Sequence, residues 1–224
     1  MPFQVSPGIN ISEIDLTTVV PNVATSIGAM AGAFQWGPVL ERTSITSEND
    51  LVNTFGEPND DTAEYFLTAA NYLSYSNNLI VVRNVQAGAT NAVVGDNDVG
   101  TAIDVLNATD YDSKTFSDQL FVAKYPGVLG NSLKVEACEQ EGFTTWAYKG
   151  NFDRAPGTST NVSAAGGSND EMHIIVVDED GLWTGIPGEV LETHGFVSKA
   201  IDAKRIDGST NYVKNVLRNE SKYV

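Results

Sequence analysis

The sequence of 224 residues has little sulfur, little imidazole and little positive charge: one cysteine, two histidines and thirteen basic side chains. A lone thiol, Cys138, excludes an internal disulfide. The two histidines, His173 in a strand-like run and His194 beside Gly195, leave almost nothing from which to build a Ser-His-Asp or Cys-His constellation. No apolar run approaches the roughly 18 residues that a membrane-spanning helix requires. The start Met1-Pro2-Phe3-Gln4 lacks the basic-then-apolar order of a secretion signal, which points to synthesis in a reducing cytoplasm. No GxGxxG follows a strand pattern and no Walker-type glycine loop occurs, so no nucleotide cofactor is expected.

The scarcity of cations is uneven. Twenty-nine acidic groups leave a net charge of −16, a field that repels phosphate backbones and anionic lipid headgroups. Neither nucleic-acid nor membrane binding is expected. Residues 1–85 carry −7, residues 86–197 carry −12, and residues 198–224 carry +3. The basic side chains Lys199, Lys204, Arg205, Lys214, Arg218 and Lys222 are interrupted by Asp202, Asp207 and Glu220. They read as a solvated face, or as one complementary to the protein's own acidic surface. The acidic run Asp178-Glu179-Asp180-Gly181 meets a calcium loop only partly, with Glu189 in twelfth place, and reads instead as an Asp-Gly turn between strands. No metal site and no catalytic residue is assigned.

What is present is a sequence of punctuated elements. Between Pro7-Gly8 and Pro21, Ile9, Ile11 and Glu13 alternate with Asn10, Ser12 and Ile14, which suggests an extended arm with no local hairpin partner, whose backbone groups must be satisfied at a distance, either as an edge strand of its own domain or by strand donation to another subunit. Ser26–Phe34 reads as a strand rich in Gly and Ala, suited to close approach by something packed on it. Ser47 caps a short helix that carries Leu51 and Phe55 and ends at Gly56. Asp61 and Glu64 have capping-box spacing ahead of a second helix, whose Ala63, Phe66, Leu67, Ala70 and Leu73 face a core. The apolar start of Leu79–Val85 suits a strand covered on both faces. From Gln86 the texture becomes β-rich without a helical stripe, with strands at Leu120–Lys124, Leu133–Glu139 and Met172–Asp178. Cys138 falls on the polar face of the second of these strands, with no cation beside it to activate the thiol.

Several strings together resemble the contractile tail sheath proteins of T4-like phages. They are SPGINISEID (Ser6–Asp15), GAFQWGP (Gly32–Pro38), DLVNTFGEP (Asp50–Pro58), AEYFLTAANYL (Ala63–Leu73), NNLIVVRNV (Asn77–Val85), AKYPGVLGNSLKVE (Ala123–Glu136) and DEMHIIVVDEDG (Asp170–Gly181). The resemblance implies a mixed α+β fold: an extended N-terminal β-arm over residues 1–22, and the first part of a discontinuous α/β domain over 23–87. An inserted β-rich, sandwich-like domain follows over 88–197, and residues 198–224 return into a still incomplete α/β domain. In that case the Phe66, Leu67 and Leu73 face would lack a cover. The resemblance also implies a non-enzymatic, cofactor-free homo-oligomer of the virion. Its rings stack around a tail tube, join baseplate and tail terminator proteins, and contract to drive the tube through a host envelope. The intersubunit arm would carry Val5, Ile9, Ile11 and Ile14. An alternative class is a carbohydrate- or protein-binding β module, with Trp146, Tyr148 and Trp183 lining a shallow groove.

Overall fold

The computed structural model describes residues 27–95 and 100–224. The arm with Val5, Ile9, Ile11 and Ile14 lies outside the described residues. Within them the chain is a mixed α/β structure of three small sheets and five α-helices.

The first sheet contains β1 (Gly28–Ala33), β2 (Arg42–Ile45) and β3 (Leu79–Asn84) in the order β1-β3-β2. β1 runs parallel to β3 and β2 antiparallel to it. Helices α1 (Glu48–Phe55) and α2 (Ala63–Leu73) bring Leu51, Phe55, Phe66 and Ala69 against Ile45, Leu79 and Val81 in one core. The Ser47 hydroxyl accepts from the Asp50 N–H and Gly56 closes α1 at φ 79°, as the sequence suggests. The capping box at Asp61 does not form. Instead the Asn59 carboxamide oxygen accepts from the N–H groups of Asp61 and Thr62 and from the Thr62 hydroxyl, so an Asx turn satisfies the donors before the helix begins. Phe66 is buried against the sheet, and Leu73 packs on the same core; of the face expected to be bare, Leu67 is 62% exposed. β3 is also less covered than expected, because Leu79 and Val81 are buried whereas Ile80 and Val82, on the opposite face, are half-buried.

The β-rich part holds a two-stranded sheet of β4 (Val93–Gly95) and β5 (Gln119–Val122). A three-stranded antiparallel sheet follows, with β6 (Leu133–Cys138), β7 (Glu171–Asp178) and β8 (Glu189–Ser198) in that spatial order. β7 is central and buried from His173 to Asp178. Helix α5 (Val213–Glu220) lays Val216 and Leu217 on Ile174 and Val197. Helices α3 (Ala108–Ser113) and α4 (Thr160–Ala164) have six and five residues, too short to leave a stripe in the sequence, yet Asn107 and Ser159 cap them. Cys138 is buried and Ala137 exposed, the reverse of the expected alternation, because the turn after β6 brings Gly142 to the thiol. Burial, with Glu136 and Glu139 nearby, pushes that thiol up, away from the thiolate form.

One side chain joins the two parts. Arg83 lies on β3, is 2% exposed, and meets no carboxylate among the described residues. Its Nε donates to the Phe34 carbonyl at 2.8 Å and its Nη1 to that of Gly37 at 2.8 Å. Its Nη2 donates to the carbonyls of Gln35 at 3.2 Å and Pro126 at 2.7 Å. Burial draws the guanidinium down to about 10, a charge held by carbonyl dipoles alone. Gly127 is required beside it: at φ 149°, a Cβ there would sit 2.6 Å from the Gln35 oxygen and 3.1 Å from Arg83 Nη2. Replacing Arg83 with Met strands four acceptors. We expect a loss of at least about 3 kcal/mol of unfolding free energy in urea titration, at about 1–3 kcal/mol per buried unsatisfied group. Arg83→Lys recovers only part of it, because an ammonium has three donors and no planar fork.

Candidate functional site

β1 is an edge strand, and its alternation explains its composition. Gly28 and Gly32 face α2, where a Cβ would come within 2.5 Å of the Tyr72 ring and 2.7 Å of the Tyr65 ring respectively. Ala29 and Ala31 point the other way and are exposed, next to the half-buried Ile80 and Val82 that pair with them in register. The Gly28 N–H donates to the Asn78 carbonyl, so the backbone groups of Gly28, Met30 and Gly32 turn toward β3 and those of Ala29 and Ala31 toward the free edge. Among the described residues this edge has no strand partner. An edge with spare backbone groups and a small apolar face is suited to strand addition and flat packing. It offers no group for bond chemistry.

The end of β1 enters an aromatic junction. The Trp36 ring meets Trp183 edge-on at 4.9 Å and Tyr125 at 5.5 Å, and Trp183 meets Tyr223 at 4.8 Å. Trp183 Nε1 donates to the Leu129 carbonyl at 3.1 Å. Trp146 belongs elsewhere: it stacks on Phe152 at 5.4 Å, meets Tyr148 edge-on and donates to Glu136. The three aromatics proposed as a glycan groove therefore fall into two clusters, each with its rings engaged by neighbours.

The histidines likewise stand in structural roles. His173 is fully buried, stacked on Phe152 at 4.1 Å and edge-on to Phe196 at 4.6 Å. β8 bulges opposite it, with Met172 paired to Val197 and Ile174 to His194. His173 Nδ1 accepts the Phe196 N–H that the bulge sets free, and Nε2 donates to the Arg154 carbonyl, which fixes the neutral tautomer. Burial draws its pKa below the ordinary value, against the opposing pull of the Arg154 carbonyl and Glu171. His194 lies beside Glu192, whose carboxylate also accepts from Ser221 and from the Lys222 N–H. Asp178, in the partial calcium loop, uses its carboxylate on Ser132, on Thr184 and on the Trp183 and Thr184 N–H groups. Burial pushes that carboxyl up, but these hydrogen bonds outweigh it and hold it below the ordinary value. Among the described residues no group of three or more His, Cys, Asp or Glu side chains is placed to hold a metal ion.

Residues 25–83, which include the open edge, match the family model of the tail sheath protein Gp18 domain III N-terminal region. The tail sheath protein of Salmonella phage ViI is 35% identical over 190 residues, 84% of this chain. The tail sheath protein of Enterobacteria phage T4 is 50% identical over 80 residues and that of Vibrio phage KVP40 51% identical over 78, or 36% and 35% of this chain. The likeness is to phage tail sheath proteins. The chain spans 28% of the first relative's length and 12% of each of the other two, in their N-terminal portions. A solved sheath tail protein from Listeria innocua aligns over 82% of this chain and 30% of its own at 16% identity, with a TM-score of 0.38, too low to establish a common fold.

The His173 site has a defined pH signature. Its folded pKa lies below the unfolded value of about 6.5, so the unfolded chain binds the extra proton first as pH falls. Its contribution to stability is full above that value and declines as pH drops through it. Urea unfolding between pH 7.5 and 5.5 should show decreasing stability in the wild type and a flatter profile in His173→Gln; parallel profiles would contradict the assignment.

Proposed function

We propose that the chain is part of a contractile phage tail sheath subunit that polymerises as stacked rings around a tail tube, in contact with baseplate and tail terminator proteins. Contraction then drives the tube through the host envelope for genome ejection. The observation that supports this reading is the 35% identity with a named tail sheath protein over 190 residues. It fits a molecule with a strand edge that has no partner among the described residues, and its histidines and acidic turn serve as structural groups. In this reading residues 23–87 begin a discontinuous α/β domain, 88–197 form an insertion and 198–224 lead back, while the arm with Val5, Ile9, Ile11 and Ile14 adds a strand to a neighbour. Assembly takes place in the host cytoplasm and the product resides in the virion.

The mechanism is mechanical. Main-chain bonds hold neighbours while rigid bodies rotate, and new interfaces between those bodies supply the free energy. Antibodies raised against residues 120–224 should label purified virions periodically along the tail, and label confined to the capsid would contradict the reading. Deleting residues 1–16 from the sheath-forming protein should abolish ordered tubes in negative-stain micrographs while leaving its circular dichroism native-like; normal tubes would refute the arm.

A further inference from the structure

Two exposed apolar features of the β-rich part carry flanking charges of opposite sign. The first is a groove of about 410 Å³ between β5, α3 and α5, with Tyr111, Phe116, Phe121 and Leu217 in its lining. Leu120, 61% exposed, stands at its lip, and Lys214 and Arg218 flank it. Arg218 pairs with Asp112, whereas Lys214 is exposed and makes no hydrogen bond or ion pair among the described residues. The charged residues of the lining, Lys124, Lys214 and Arg218, are all basic.

The second feature is the loop between β7 and β8. It presents Leu182 and Ile186, 51% and 59% exposed, flanked by Glu179, Asp180 and Glu189. This loop is held rigidly. The Asp178 carboxylate accepts from the Trp183 and Thr184 N–H groups, the Gly188 N–H donates to the Asp178 carbonyl, and Trp183 is anchored at Leu129. A preformed apolar tip inside an acidic collar loses little conformational entropy on docking.

We propose that the Leu182/Ile186 loop of one copy docks in the Tyr111/Leu217 groove of a second copy, with the acidic collar facing Lys214 and Arg218. Charge selects this occupant. An acidic chain repels its own kind over most of its surface, so contact between copies is steered to the basic groove. The inference takes its biological setting from the sheath reading and names a contact between sheath subunits. Its test is made on the purified chain and does not depend on that setting.

The test is complementation by sedimentation velocity. The wild-type chain should self-associate with rising concentration. A groove variant, Lys214→Glu with Leu120→Asp, and a loop variant, Leu182→Asp with Ile186→Asp, should each associate about tenfold or more weakly while keeping native circular dichroism. An equimolar mixture combines an intact loop on one variant with an intact groove on the other, and should form a 1:1 complex. Wild-type chains that stay monomeric, variants that associate like the wild type, or a mixture without a 1:1 complex would each overturn the inference. An unfolded variant is replaced by the single substitution Lys214→Glu or Ile186→Asp, read in the same way. Failure of this contact leaves virion labelling unaffected, so the two claims fail separately.

Discussion

A positive charge buried with no anion among the described residues governs this molecule. Desolvating a guanidinium is costly, and Arg83 is tolerated only because four carbonyls from two distant segments converge on it. Those carbonyls belong to the Phe34–Gly37 turn and to Pro126, so the requirement of one side chain fixes the end of the first sheet against the β-rich part. The aromatic rings Trp36, Tyr125, Trp183 and Tyr223 close around the same place. The segment that leaves the turn is tied across as well, by the Val39 N–H to the Leu106 carbonyl and by Asn107 to the Val39 carbonyl.

The junction ties the first sheet to the β-rich part through side-chain, ring and main-chain contacts together. The exposed features adjoin it: β1, whose edge is open among the described residues, runs into Trp36, the acidic loop carries Trp183, and Tyr125 lines the groove. The glycines at 28, 32 and 127 each let a ring or a backbone group approach closer than a Cβ would permit.

Local punctuation was readable from the sequence, and long-range satisfaction was not. Ser47, Gly56 and the Leu51/Phe55 spacing specify α1 because their partners lie within one or two turns. The strands around Leu133 and Met172 were visible through their β-branched, apolar runs. Arg83 looked like an ordinary strand residue, since nothing local reveals that its acceptors lie 43 to 49 residues away. The reversed alternation at Ala137 and Cys138 and the bulge at Phe196 escaped for a related reason: burial of the thiol follows the turn after β6, and the freed Phe196 N–H is satisfied by His173, 23 residues away. The small residues of β1 were read as inviting close approach, and the structure divides that role between glycines beneath tyrosine rings and alanines on an open face.

The central claim is that the two parts form one cooperative body through this junction. Two of the three tryptophans, Trp36 and Trp183, sit in it, so their fluorescence reports the junction while far-ultraviolet circular dichroism reports the strands and helices of both parts. The most direct measurement is equilibrium urea unfolding followed by both signals on one sample. Coincident transitions with a common midpoint and slope are predicted. A fluorescence change that is complete while the secondary structure persists would contradict the account.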